Sequence, residues 1–178
     1  MIAPQLETKS LYLKPLGVDF CSLDYVNWLN DAQVIEFLET KQGATLESLL
    51  KFLEEVESRS ILFWAIVVKE NNVHIGNIKI DPIKDGVGEY GIMIGHKAFW
   101  GKGLAKDASA AVIDYCFDKL ALRKITLGFI EQNKAALHLY TSMGFEVEGV
   151  LKKQVSFKDT FSDVIRMGLL KENWKLTK

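Results

Sequence analysis

A mixed α/β sheet of about seven strands with flanking helices is the fold that the sequence predicts. Three observations carry it. Apolar runs of strand length recur through the chain, segments with helical apolar spacing are interleaved with them, and glycine, asparagine and aspartate punctuate the joints. The elements follow in the order strand, helices, three strands, helix, strand, helix, two strands. With 178 residues and no repeat, low-complexity tract or linker, residues 1–178 read as one domain with room for a sizeable core.

Residues 10–16 (SLYLKPL) alternate apolar and polar, which predicts a strand; Pro15 suits an edge position or a strand end. Residues 19–30 have helical spacing at Phe20, Leu23, Val26 and Trp28 or Leu29. Residues 31–38 predict a second short helix behind an Asn30-Asp31 cap. Residues 40–44 are a polar connection. Thr45 then caps a third helix, with Leu46, Leu49, Leu50, Phe52, Leu53 and Val56 as its apolar stripe. The continuous apolar run 62–68 (LFWAIVV) predicts a strand, Asn71-Asn72 a turn, and the alternation over 73–80 the next strand. Asp81-Pro82 and Asp85-Gly86 mark the following turn, and residues 89–94 a further strand. After a glycine loop at 100–105, a helix runs through Val112, Ile113, Tyr115, Cys116 and Phe117 to about Leu120. Residues 124–130 (KITLGFI) are a strand, 133–143 a short helix stopped by Gly144, and 145–157 and 162–170 two strands around a Lys158-Asp159 turn. The tail from Lys171 is short and amphipathic.

Composition narrows the function classes. Apolar residues make up 48% and charged residues 25%, and the net charge of −1 carries neither a nucleic-acid footprint nor a match to an anionic membrane. Cys21 and Cys116 fit no redox or metal spacing and read as two reduced thiols. His74, His96 and His138 are scattered, so no metal site is expected. No apolar run approaches the roughly 20 residues that span a bilayer, and no signal-like segment follows the N-terminus. A cytoplasmic location is expected.

The most informative stretch is 88–111, GEYGIMIGHKAFWGKGLAKDASAA. It reads as strand, glycine-punctuated loop and helix. Such a loop aims several backbone N–H groups one way, two glycines permit close approach, and the helix dipole favours negative charge. An anion, most simply a phosphate, is therefore expected on residues 101–106. Gly86, Gly88 and Gly91 spell G-x-G-x-x-G, but a proline-containing turn precedes them and a strand follows, the reverse of the dinucleotide context. Residues 101–106 also lack the G-K-[ST] of a nucleoside triphosphate loop.

Two motifs in this order resemble the GNAT N-acetyltransferase family. The first is its coenzyme A pyrophosphate loop, Q/R-x-x-G-x-G/A, met here by Trp100, Gly103 and Ala105. Trp100 departs from Gln/Arg, and Trp-Gly-Lys-Gly is usual in one branch. The second is Asn133-x-x-Ala136-x-x-x-Tyr140-x-x-x-Gly144-Phe145. The branch is the one that includes ribosomal-protein N-terminal, polyamine and aminosugar N-acetyltransferases. The resemblance covers residues 60–170 well and the first 60 more weakly. It implies acetyl-coenzyme A as cosubstrate, no metal, a mostly antiparallel GNAT-like sheet with splayed central strands, and pantetheine running along the backbone of Ile92, Met93 and Ile94. Gly91 and Gly95 fit a close approach there. The pyrophosphate site is then Trp100, Gly101, Lys102, Gly103, Leu104, Ala105 and Lys106, with Asn133 and Ala136 on the downstream helix. In this family the last strands often meet a partner, which implies a homodimer.

The reaction so implied is direct attack of an amine on the thioester. Tyr140 is the candidate acid toward sulfur. A phenol near 10 and a thiol near 8.5 make full transfer uphill by roughly 2 kcal/mol, so a hydrogen bond that strengthens as charge develops is its main contribution. A Lys-like amine is neutral at pH 7 at a cost of roughly 4.6 kcal/mol, an α-amine at about 1 kcal/mol. Glu89, on the strand beside the acetyl site, is the candidate base; a surface carboxylate is the alternative. Lys102 either neighbours the nucleotide or is simply solvated. The acceptor pocket is expected from residues 25–42, with Trp28, Phe37 and Glu39 as contacts, although Trp28 and Phe37 serve equally as core. The acceptor is a small-molecule or peptide amine: a protein N-terminus, a polyamine or other small amine, or an aminosugar. A non-catalytic acyl-coenzyme A sensor is the alternative function, against which Tyr140 counts.

Overall fold

The computed structural model describes residues 3–59 and 61–176. Among these are eight strands and five α-helices: β1 (Leu6–Glu7), β2 (Leu11–Pro15), α1 (Leu23–Asn30), α2 (Leu46–Arg59), β3 (Leu62–Val68), β4 (His74–Lys84), β5 (Val87–Ile94), α3 (Leu104–Asp118), β6 (Lys124–Ile130), α4 (Lys134–Ser142), β7 (Glu146–Phe157), β8 (Thr160–Leu170) and α5 (Lys171–Leu176). Hydrogen-bonded neighbours run β1-β2-β3-β4-β5-β6-β8-β7. β5 and β6 pair in parallel, whereas β1–β2, β2–β3, β3–β4, β6–β8 and β7–β8 pair antiparallel. The mixed, mostly antiparallel sheet is as expected, with one strand more than the seven predicted. The addition is β1, two residues long and too short for a periodic signal.

The chain divides into two compact units, one of Met1–Pro82 with Gly91–Val112, the other of Ile83–Tyr90 with Ile113–Lys178. In the first unit Leu11 and Leu13 of β2 are fully buried, and β2 and β3 pair from Leu11↔Val68 to Pro15↔Trp64. β3 reads as a continuous apolar run because both of its faces are covered: Trp64, Ala65 and Ile66 have no exposed surface. Tyr25, Trp28, Leu49, Leu53, Ala65 and Val67 belong to one apolar cluster. Two caps start the helices around it. Ser22 Oγ accepts from Tyr25 N at 3.2 Å, and Thr45 Oγ1 accepts from Ser48 N at 3.1 Å while Ser48 Oγ accepts from Thr45 N at 2.9 Å.

Three expectations need correction here. Residues 19–30 are not one helix: a short 3-10 turn, Val18–Phe20, precedes the extended cap Ser22, and α1 begins only at Leu23. Residues 31–38 form turns, not a second helix. Asn30 is the reason, since its carboxamide accepts from Gly43 N at 2.7 Å and Ala44 N at 3.1 Å and donates to Ala44 O at 2.8 Å, fastening the chain end of α1 to the loop ahead of α2. Asp81-Pro82 is not a turn, because β4 continues to Lys84. The ladder with β3 ends at Leu62↔Ile80, so Pro82 withholds no hydrogen bond from it.

In the second unit β6 pairs in parallel with β5 over Val87–Glu89 opposite Lys124–Thr126, and antiparallel with β8 along its whole length. Ile125, Leu127 and Phe129 are buried, whereas Lys124, Thr126 and Gly128 take the other face. Ile113, Cys116 and Phe117 of α3 and Tyr140, Met143 and Phe145 around α4 are buried as well. Gly144 follows α4 with φ 86°, the left-handed cap expected of it.

Candidate active site

The first unit holds the glycine loop. Gly101 and Gly103 have φ of 70° and 76°, and at either one an added methyl group would meet nothing within 4 Å. The loop is thus bent by glycine without being filled by protein. α3 begins at Leu104, and its first intrahelical bond runs from Asp107 N to Gly103 O at 3.1 Å. Backbone N–H groups before Asp107 belong to the first turn, which lacks intrahelical partners. Asp107, the acid of that turn, does not compete for them: its Oδ2 accepts from Thr8 Oγ1 at 2.6 Å and Ser10 Oγ at 3.0 Å. A helix start of this kind can receive an anion.

Trp100 half-exposes its ring and donates from Nε1 to the Ile94 carbonyl at 2.7 Å, tying the loop to the end of β5. Lys102 Nζ lies 5.0 Å from the Phe99 ring centre, and Lys97 pairs with Asp31 at 2.5 Å. Ile92, Met93 and Ile94 are half-buried. The β4 backbone comes close at this point, since a methyl group on Gly76 would strike the Met93 carbonyl. Gly95 is likewise a close approach: the Trp28 indole occupies the space a side chain there would need. Trp28 is buried and packs on Tyr25 and His74, with ring centres 5.5 and 4.9 Å away. Its core role is therefore on view. Phe37 is half-buried and Glu39 exposed, both in the turns between α1 and α2.

The second unit holds α4 and Glu89. Asn133 caps α4, its Oδ1 accepting from Ala136 N at 3.0 Å. Seven residues on, Tyr140 is buried among Tyr90, Phe129 and Phe145, with ring centres 5.7, 5.7 and 5.8 Å away. Burial pushes its phenol up to about 12, so the hydroxyl keeps its proton at any ordinary pH. Burial likewise pushes the Cys116 thiol up to about 12, which leaves no thiolate to act as a nucleophile. Glu89 does not stand alone. Its Oε1 and Oε2 accept from Nη1 and Nη2 of Arg166, each at 2.7 Å, and Oε2 also accepts from Thr126 Oγ1 at 2.7 Å. The pairing raises the Arg166 guanidinium above its ordinary value, with Glu89 as the main cause.

Comparison with known proteins gives the family. A family model described as the acetyltransferase (GNAT) domain matches residues 10–146. The chain belongs to the GNAT acetyltransferases. It is 33% identical over 175 residues to a Bacillus licheniformis protein described as "Uncharacterized N-acetyltransferase p20", covering 95% of this chain and 97% of the relative. The spermidine N-acetyltransferase of Vibrio cholerae, solved with CoA and spermine, has the same fold: TM-score 0.82 at 23% identity over 94% of this chain and 99% of that one. So has the ribosomal-protein-S5-alanine acetyltransferase of Vibrio fischeri, with TM-score 0.81 at 19% identity over 96% and 98%.

For a GNAT protein, acetyl-coenzyme A is the group to be fitted. The loop at Gly101–Gly103 is compatible with it: both glycines are left-handed and open, and the Asp107 carboxylate is engaged by Thr8 and Ser10. Among the described residues no group of three or more His, Cys, Asp and Glu could hold a metal, and no helix is long and apolar enough to cross a membrane. Sequence reasoning missed three residues around Glu89: Arg166, Thr126 and Gly128. Gly128, set inside the apolar run KITLGFI, was the available signal, because an isolated glycine in a strand marks a close approach.

Proposed function

We propose that this chain moves an acetyl group from acetyl-coenzyme A directly to a primary amine. The observation that carries the reading is the cradle before α3, where two glycines in left-handed conformation open onto empty space. Residues 100–106 would hold the pyrophosphate through backbone N–H groups, the backbone of Ile92–Ile94 would lie along the pantetheine, and Asn133 and Ala136 would flank it. Acetyl-coenzyme A, when bound, supplies an activated acyl carbon. In the net reaction an N–C bond forms, the C–S bond breaks, one proton leaves the amine and one reaches sulfur.

The chain's own side chains divide that work. Tyr140 offers a neutral hydroxyl to the departing sulfur. Its raised value, about 12 against a thiol near 8.5, makes complete transfer uphill by about 5 kcal/mol, so its contribution is a hydrogen bond that strengthens as negative charge grows. Glu89 is the candidate base that takes the proton from the amine, its oxygens held by Arg166 and Thr126. A double-displacement route through Cys116 is disfavoured by the same burial that raises its thiol. Phe37 and Glu39 remain the candidates for the acceptor's outer contacts. A homodimer is supported by the apolar side chains that β7 and β8 expose.

Two measurements test this reading. Calorimetry with acetyl-coenzyme A should give micromolar binding, and no heat of binding would end it. Thiol release should then be followed with spermidine, glucosamine and an alanine-initiated peptide, one for each acceptor class. Binding without turnover on any of them would leave an acyl-coenzyme A sensor instead.

A further inference from the structure

β6 carries a glycine near its centre, Gly128, where neither a turn nor a positive φ requires one. A glycine inside a strand weakens it and marks a place where another group comes close. That group is Arg166. The two residues face each other in the β6–β8 ladder, and a methyl group on Gly128 would lie 2.7 Å from Nη1 and 3.3 Å from Cδ of Arg166. The arginine side chain therefore lies across β6 and ends on β5, where Glu89 receives both of its terminal nitrogens at 2.7 Å. Thr126, opposite Glu89 in the parallel ladder, supplies the third donor. The neighbouring charges on this face, Lys124 and Glu148, pair with each other at 2.5 Å.

Stability alone does not call for this construction. The pair is 36% exposed at Arg166 and 29% at Glu89, so water screens it and even its bidentate geometry adds only modestly to folding. The glycine that makes room for it subtracts from strand stability. What the construction does achieve is a carboxylate fixed in its plane by a bidentate guanidinium and a hydroxyl. We propose that Arg166, seated over Gly128, is a positioning residue for acceptor binding: it fixes the Glu89 carboxylate so that Glu89 meets the ammonium of the incoming amine. This rests on the acetyl-transfer reading given above.

Gly128→Ala is the decisive variant, because it keeps both charged residues and unseats only the guanidinium. It is measured beside Arg166→Met, Arg166→Lys and Glu89→Gln, with spermidine, glucosamine and the alanine-initiated peptide as amines. The expected result is a KM for the accepted amine raised about tenfold in Gly128→Ala and Arg166→Met. The KM for acetyl-coenzyme A and the melting temperature should stay near wild type, and Arg166→Lys should recover part of the loss. Calorimetric titration of the same amine into protein saturated with coenzyme A should show the same weakening without turnover. Amine KM and affinity within twofold of wild type in both Gly128→Ala and Arg166→Met overturn the proposal. An equal rise in both KM values with a lowered melting temperature overturns it too, because that is the signature of a structural pair. A wild-type protein that binds acetyl-coenzyme A but acetylates none of the three amines fails at the earlier step, and the proposal falls with the reading.

Discussion

In the role proposed for Tyr140, the demands on a proton donor oppose one another. The ring must be buried to sit among Tyr90, Phe129 and Phe145, and burial makes its proton harder to give up. The same burial makes the proton reliably present. Tyr140→Phe keeps the ring packing and removes only the hydroxyl, so kcat should fall at least tenfold while the KM for acetyl-coenzyme A changes by less than about threefold. The sign of the pH dependence follows from the direction of the shift. A phenol raised to about 12 stays neutral at every lower pH, so it contributes no descending limb to kcat/KM between pH 6 and 10.5. The profile should rise instead as the acceptor amine deprotonates. A wild-type descending limb near pH 9 that disappears in Tyr140→Phe would show a phenol of lowered value and remove this account.

At the scale of elements, the loop before α3 shows what glycine contributes. An alanine at a left-handed position costs about 1 kcal/mol in backbone strain. Gly103→Ala should therefore lower stability by about that amount and weaken acetyl-coenzyme A binding tenfold or more, because the new methyl group enters the cradle. Gly43 is the control, since it too has positive φ and open surroundings but lies in the loop ahead of α2. Gly43→Ala should lose at least as much stability and no affinity, and equal affinity losses in the two variants would assign the effect to strain. How far the elements were legible depended on whether their signals were local. Leu62–Val68 and Lys124–Ile130 run as read, because an apolar run of strand length between turn signals carries its own information. The cap Thr45 was legible because it acts within three residues of itself, whereas Ser22, equally local, was passed over because Phe20 fitted the helical spacing ahead of it. Residues 31–38 were misread because Asn30 reaches 14 positions ahead to Ala44, and no periodicity records such a bond. Arg166 was missed for the same reason, being 77 positions from the carboxylate it holds.

At the scale of the molecule, the sheet ends in β7, an edge strand that exposes several apolar side chains. Val147 is 55% exposed, Phe161 on the adjoining β8 is 66% exposed, and Val150 and Leu151 are exposed as well. Edge strands are ordinarily guarded, and here the guard is partial. The β7–β8 register shifts between Leu151 and Val155, Lys153 has φ 50°, and Asp163 accepts from Lys152 Nζ at 2.7 Å and Lys153 N at 2.8 Å. That bulge and its two lysines oppose strand-to-strand stacking at the middle of β7 while leaving the apolar side chains on either side of it uncovered. Exposed apolar side chains at a sheet edge can be covered by a partner. A second copy of this chain would bury them without extending the sheet into a fibre, because the bulge blocks continuous pairing. Light scattering on the eluting protein should accordingly give twice the chain mass at micromolar concentration. Val150→Asp and Phe161→Asp should each shift it to the single-chain mass with acetyl-coenzyme A binding retained. A wild type that elutes at the single-chain mass at 100 μM leaves the hairpin as an exposed apolar surface of the monomer and removes the dimer.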